Sequence, residues 1–437
     1  MKPFKMIASI VGVLVGLGVA SSIQAQEKEI SSDKLELKLL WSKKLPEENV
    51  RFTMTDDGQV VLRRPYKEGT ETVGEEIQFI DEKGNVTKRF HAKTEVKVQG
   101  PPHMRRVWFN GMSRNGKYFL FRRPLAEVPE GPQQYSYYTA DGKRLWSQKI
   151  DAESIRLSPD GEYLGYSSIL NDSFPGGMDW WELRDKNFNL IWKYQPKWQF
   201  NAVVLNGGRM LMVEGNKVKI LDKGGNVVKD VLIPALTPYK LSYQFGAVLP
   251  MKGVGPDRLV TTSDGRYVAF VYSQYNEKVK EWWWTLYSVD MGTGKWWSYL
   301  VEGGSHISWT NAIGLTGDGR YLLLYLEKGL FSFDNANGKL LWKDTTGWDI
   351  WDGSLLSRPE DVSELLALIV VRWGGGLKWS DRTRYEKEGI YIVDFNGKRL
   401  WQTGGGSFAY HERFSKCNRF LLAEKKGEVS LYEVIKK

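Results

Sequence analysis

The sequence predicts an all-β chain: an eight-bladed β-propeller of four-stranded antiparallel blades. Three observations carry this expectation. The first is a turn followed by a short apolar strand, repeated along the chain as "SRNGKYFLF" from Ser113, "SPDGEYLGY" from Ser158, "TSDGRYVAF" from Thr262 and "TGDGRYLLL" from Thr316. The second is a strand, a Gly-containing turn and a Leu-Trp pair, as in "YTADGKRLW" to Trp146, "SVDMGTGKWW" to Trp297, "FDNANGKLLW" to Trp342 and "IVDFNGKRLW" to Trp401. The third is a mismatch in their numbers. Eight copies of the first signature fall near residues 58, 116, 161, 208, 265, 319, 361 and 418, and seven copies of the second follow them.

The two signatures alternate, so each pair encodes four strands, a to d. The first turn joins a to b and the second joins c to d. Glycine, Asp and Asn recur there because tight hairpins need positive φ. A four-stranded unit cannot bury both faces alone, so copies pack radially as blades. Weaker copies complete the series: "TDDGQVVL" from Thr55, "LNGGRMLM" from Leu205 and "SKCNRFLL" from Ser415 for the first signature. For the second they are "IDEKGNVTKRF" to Phe90, "LRDKNFNLIW" to Trp192 and "LDKGGNVVKDV" near Val228. The copy near residue 361, "RPEDVSELLALIV", lacks its glycine, which leaves seven blades as the alternative count.

The last blade stops without its Leu-Trp strand. That strand stands at the other end of the chain, in "LELKLLWSKKL", with Trp41 in the tryptophan position. Residues 36–45 are therefore expected to complete the last blade and close the ring, which removes the open edges of a broken ring.

Residues 1–25 read as a signal peptide, with Lys2 and Lys5 ahead of an apolar run from Met6 to Ala20 and small residues before Ala25. The run is shorter than the roughly 20 residues a membrane span needs. No cysteine follows it, which excludes a lipoprotein. Residues 26–437 then form one propeller domain, expected to be periplasmic or secreted. Cys417 is the only cysteine, so the chain has no internal disulfide, no C-x-x-C-H haem site and no zinc ribbon. The formal charge of +9 falls to +7 without the two leader lysines and favours anionic surfaces or acidic proteins. Nucleic acid is excluded by compartment.

The Asp-x-x-x-Gly-Lys-x-x-Trp pattern, best at Asp334 to Trp342 and Asp394 to Trp401, resembles the PQQ-like β-propeller repeats of the quinoprotein dehydrogenases and their non-enzymatic relatives. The resemblance extends over nearly the whole mature chain. It implies that Trp41, Trp146, Trp192, Trp297, Trp342 and Trp401 dock between adjacent blades. The segment "KEWWWTLYSVDMGTGKWW", residues 280–297, holds five tryptophans and is read in the same way. Trp297 is packing, Trp296 lies on the opposite face, Trp283 is core, and Trp282 stands at a loop boundary as a candidate ligand contact. The resemblance does not extend to dehydrogenase chemistry, because one cysteine cannot make the adjacent pair of the alcohol-oxidising members. No cofactor is expected.

The a–b and c–d turns are short, whereas the b–c and d–a connections are long and leave a blade at the same face. Long loops on a rigid scaffold collect binding residues. Arginines and aromatics gather there, and Arg beside Trp or Tyr is the composition of interaction hot spots. The candidate partner-binding residues are Arg105, Arg106, Arg122, Arg123, Trp282, Trp348, Trp351, Trp373, Trp379 and Arg382. The expected function is a non-catalytic scaffold that binds a partner protein of the envelope or extracellular space through this face. The alternative is binding or cleavage of an anionic polysaccharide, with a PQQ-dependent dehydrogenase behind it. His103 and His306 each stand ten residues before an a–b signature, and His411 lies near the last one. They are weak candidates for a metal or acid–base site.

Overall fold

The computed structural model describes residues 30–31, 35–44, 50–69, 71–93, 107–125, 133–150, 152–169, 178–195, 200–234, 258–276, 281–301, 312–326, 329–344, 348–349, 365–373, 385–402, 413–414, 419–425 and 428–437. They form eight antiparallel sheets, one for each copy of the first turn signature. Blade 1 comprises Arg51–Met54, Val60–Glu68, Glu71–Ile80 and Val86–Lys93. Blade 2 comprises Trp108–Met112, Tyr118–Pro124, Gln133–Thr139 and Arg144–Ile150. Blade 3 runs through Ala152–Leu157, Tyr163–Ile169, Met178–Asp185 and Leu190–Tyr194. Blade 4 runs through Phe200–Val204, Met210–Glu214, Lys217–Leu221 and Val227–Leu232. Blade 5 holds Arg258–Thr261, Tyr267–Asn276, Glu281–Asp290 and Lys295–Val301, and blade 6 holds Ala312–Leu315, Tyr321–Leu326, Gly329–Asp334 and Lys339–Asp344. Blade 7 contains Trp348–Asp349, Leu365–Trp373, Tyr385–Asp394 and Arg399–Gln402. Ile30–Ser31 pairs outside Arg399–Gln402, which makes blade 7 five-stranded.

Blade 8 is assembled from both ends of the chain. Arg413–Phe414, Phe420–Lys425 and Glu428–Lys436 supply strands a to c, and Leu35–Lys44 pairs antiparallel with Glu428–Lys436 as strand d. The closing strand thus lies one residue N-terminal of the expected 36–45. Strand a of each of blades 2 to 6 packs against strand a of the next or preceding blade, and Arg51–Met54 of blade 1 packs against Arg413–Phe414 of blade 8. The a strands therefore form the innermost ring.

The apolar core lies between blades. Six clusters each straddle one seam among the described residues. Val61, Ile77 and Phe79 of blade 1 meet Phe119 and Phe121 of blade 2, for example, and Trp284 and Leu286 of blade 5 meet Leu322 and Phe333 of blade 6. Blades 6 and 7 are joined by Tyr321 stacked on Phe395 at 4.3 Å and by the Ser332 hydroxyl donating to the Phe395 carbonyl at 2.8 Å. The a–b turns are linked directly. Asp56 N–H donates to the Arg114 carbonyl, and Arg114 N–H donates to the Pro159 carbonyl, each at 2.9 Å.

Trp41, Trp146, Trp192, Trp297 and Trp342 dock as their repeat position implies, and the side chain of Trp401 lies outside the described ones. Indole Nε1 of Trp41 donates to the Asp81 carbonyl at 3.1 Å, that of Trp146 to Lys186 at 2.9 Å and that of Trp297 to Asn335 at 2.8 Å. In each case the acceptor lies in the c–d turn of the next blade. The ring packs on that turn's glycine: a Cβ at Gly338 would lie 2.7 Å from the Trp297 ring. Gly338 also has φ of +72°, so both space and backbone exclude a larger residue. Blade 3 departs from the pattern. Phe188 takes φ of +72° where its neighbours use glycine, and its ring lies 4.6 Å from Trp146.

Three sequence expectations change here. A bulge before strand d sets the tryptophan register, as where Tyr137 pairs Trp146 and Ser332 pairs Trp342. In blade 1 that register holds Lys88, opposite Phe79, while Phe90 lies two residues on, opposite Ile77. Phe90 still packs on Gly142 of blade 2. In blade 4 the register holds Lys229, whose Nζ donates to the Gly292 carbonyl of blade 5 at 2.8 Å. Lysine there donates to a carbonyl of the next turn, as the indoles of Trp41, Trp146 and Trp297 do. Finally, Trp284 rather than Trp283 is the core residue of the triple-tryptophan run: it is 4 % exposed, and Trp283 is half-buried. Alternation along a strand allows only one of the two inside. Trp296 and Trp297 do divide between the two seams of blade 5.

Candidate functional site

Of the sequence-predicted partner residues, Arg105, Arg106, Trp351, Trp379 and Arg382 lie outside the described residues, as do His103, His306 and His411. Trp282 lies in strand c of blade 5, opposite Tyr275. Trp348 and Trp373 lie in strands a and b of blade 7, and Trp348 pairs with Arg372. These placements put Trp282, Trp348 and Trp373 at the loop-bearing ends of their strands.

Arg122 and Arg123 lie near the end of strand b of blade 2, and alternation sends them to opposite faces. Arg122 is exposed. It is the cross-strand partner of Trp108 on strand a and of Tyr135 on strand c, so the three form one row across the blade. Trp108 is 40 % exposed although it sits on the innermost strand, whereas Tyr135 is buried. Burial pushes the Tyr135 hydroxyl up, opposed by the charge of Arg122 and a hydrogen bond from it. Trp108 is a residue the sequence reading passed over. Its signal was available, since it stands two residues after the d–a loop "VQGPPHMRR".

Arg123 is a correction. It is buried at 8 % exposure and faces blade 1 beside Phe121, so it is not a rim residue. Its Nη2 donates to Gln134 Oε1. The Gln134 amide donates to Ser147 Oγ at 3.1 Å, which lies 2.8 Å from Ser136 Oγ. Burial alone pulls the Arg123 guanidinium below its usual range.

The arginines of blade 1 serve the scaffold. Arg64 and Arg89 each reach a Glu76 carboxylate oxygen at 2.9 Å. Arg63 lies 3.8 Å over the Phe109 ring, and Phe109 N–H donates to Glu75 Oε1 at 3.2 Å, which pins blade 1 to blade 2. Blades 3 and 4 repeat the theme. Tyr166 and Arg184 converge on Glu182, while Tyr194 and Lys219 converge on Glu214. The Tyr166 hydroxyl is pushed up to about 12 by burial and by Glu182.

A cavity of about 330 Å3 lies along strand a of blades 2 to 5. Arg156 crosses it to donate to the Ala202 carbonyl at 2.7 Å. Arg114 lies deep at its turn end, where burial lowers its pKa and Asp56 opposes the shift. Both arginines bind the ring together. Among the described residues no group of three or more His, Cys, Asp or Glu side chains gathers at one point.

The architecture and its closure define a β-propeller. No family profile matches the chain, and no curated protein matches it. Solved structures do. The β-propeller domain of Cps50 (Swd1) from Myceliophteria thermophila is 14% identical, over 75% of this chain and 95% of that one, with a TM-score of 0.38. Hsv2 of Kluyveromyces lactis is 12% identical over 76% and 98%, with a TM-score of 0.41. Hydrazine synthase of Kuenenia stuttgartiensis is 12% identical over 88% and 94%, with a TM-score of 0.39. At these scores no function is carried over from them.

Proposed function

We propose that this protein is an exported, non-catalytic propeller with PQQ-like repeats that binds a partner protein through its b–c and d–a loop face. The observation that carries the reading is the row of Trp108, Arg122 and Tyr135 on blade 2. It sets an exposed indole and an exposed guanidinium side by side on a rigid, inner-ring sheet. Trp, Tyr and Arg dominate protein-binding hot spots because each brings large area with a polar handle at low entropic cost. The ionic groups of blades 1, 3 and 4 described above join strands and blades.

The test is co-purification of the full-length protein from its native envelope extract. Trp108→Ala combined with Arg122→Ala is expected to reduce recovery of a stoichiometric partner by about tenfold or more, equivalent to about 1.4 kcal/mol. The thermal midpoint should stay unchanged. Undiminished recovery would contradict this face as the binding surface.

A further inference from the structure

The seam between blades 1 and 2 contains a feature that neither the fold nor the partner-binding reading uses. A cleft of about 50 Å3 opens there against Lys93 and Val107, with Arg123, Gln134, Ser136 and Ser147 along one wall. We infer that this cleft is a binding site for a single oxyanion group, a carboxylate or a sulfuryl or phosphoryl group, held by the buried Arg123 guanidinium. The inference stands independently of the partner-binding reading.

Arg123 brings an unbalanced charge to this seam. Arg123 is more than nine-tenths buried, and the partner it holds is the neutral Gln134 amide oxygen. A buried guanidinium is ordinarily matched by a carboxylate, because removing a charge from water costs several kcal/mol unless it is paired. Even the part-exposed arginines Arg64 and Arg184 meet carboxylates, Glu76 and Glu182. Among the described residues no carboxylate contributes to the ionisation of Arg123, and desolvation acts alone. The wall beside it is polar in the way an oxyanion requires. The Ser136 and Ser147 hydroxyls lie 2.8 Å apart, so one proton bridges them and the other hydroxyl can turn its proton outward. Lys93 also lines the cleft, held by Glu68 at 3.0 Å, and brings a second cation within reach of an entering anion. The volume suits one small oxyanion and excludes a sugar ring. A larger ligand would therefore enter by one charged substituent. Arginine is the residue for this role because its planar fork donates two parallel hydrogen bonds to carboxylate or phosphate oxygens.

The experiment is calorimetric titration of the full-length protein with sodium sulfate, sodium phosphate and sodium acetate, against chloride at matched ionic strength. Thermal midpoints are recorded in parallel. Saturable binding of at least one oxyanion with a stoichiometry near one is expected. Arg123→Gln, which keeps an amide beside Gln134, should weaken it by about tenfold or more. Ser136→Ala combined with Ser147→Ala leaves the cation in place and guards against misfolding of the first variant; it should weaken binding by roughly threefold. Preference for acetate would identify a carboxyl-bearing ligand, and preference for sulfate or phosphate a sulfated or phosphorylated one. Heats that match chloride for all three salts would overturn the inference. So would sulfate stabilisation equal in the native protein and both variants, since that is the general salting effect of sulfate on folded proteins.

Discussion

Trp146 shows how much one side chain holds in this ring. Its indole is 7 % exposed, stacks near Tyr137 and Phe188, and donates to a carbonyl of the next blade. Trp146→Ala is expected to cost about 3–5 kcal/mol in denaturant unfolding, as for large aromatic truncations in cores. Trp146→Phe should cost about 1 kcal/mol, the price of the lost hydrogen bond. Lys229 occupies the same register in blade 4 and makes the same bond from an exposed ammonium. Lys229→Ala should therefore cost less than about 1 kcal/mol. Equal losses at the two positions would show that the hydrogen bond, and not the packing, dominates. The sequence concealed Lys229, because the bulge that sets the register cannot be seen in a looser repeat. Trp146, by contrast, is legible from its motif alone. Glu76 supplies a pH signature. Its burial pushes the carboxyl up, but Gln78, Arg64 and Arg89 outweigh this and hold it below its ordinary 4.5. A depressed carboxylate stabilises the fold above its unfolded pKa and loses that contribution as pH falls through its folded pKa. Glu76→Gln should be about 1–3 kcal/mol less stable at neutral pH. The difference should shrink steadily once the pH drops below 4.5, as followed by unfolding across an acid series.

At the scale of the element, the turns carry most of what could be read in advance. The Asp-Gly and Gly-Lys signatures are legible because positive φ restricts residue choice more sharply than burial does. Two glycines separate conformation from space. Gly319 has φ of +72°, and a Cβ there would lie 2.0 Å from the Tyr267 ring of blade 5. Gly294 has φ of +76° and open space around it. Both alanine variants should lose about 1–2 kcal/mol to the left-handed backbone. Gly319→Ala should lose a further 1–3 kcal/mol, roughly, from overpacking. Equal losses in chemical denaturation would mean that the turn, and not the blade contact, makes the glycine necessary. Strand phase was less legible. Three consecutive tryptophans at 282–284 satisfy either phase of a two-residue period, so the sequence could not say which faces inward. The burial of Arg123 was also invisible. It follows from the neighbouring blade covering one face of strand b, and no local pattern reports that.

For the whole molecule, closure is the property the sequence stated most openly, through a strand missing at one end and present at the other. Leu35 lies opposite Lys436, so the start of the closing strand meets the end of strand c. Moving residues 35–44 to follow Lys437 through a short Asn-Gly turn should therefore preserve the thermal midpoint within a few degrees. Deleting them should abolish cooperative unfolding, because blade 8 would lose Trp41 and blade 1 its covered turn. A cooperative deletion variant would contradict closure as the source of ring stability. Function was less legible than fold for a related reason. The repeat specifies the turns that face one end of the ring, whereas the proposed binding surface is at the other end, on connections no repeat constrains. Trp108 emerges there only once strand a is in register with Arg122.

Face-resolved photocrosslinking tests the central claim most directly. A photoreactive residue is placed at Trp108 or Arg122 on the loop face, or at Asp57 in an a–b turn on the opposite face, and each full-length variant is irradiated in native envelope extract. The account predicts one protein crosslinked in near-stoichiometric amount from Trp108 and Arg122 and none from Asp57. Crosslinks of equal yield from both faces, or none from either, would contradict a protein-binding scaffold that works through its loop face.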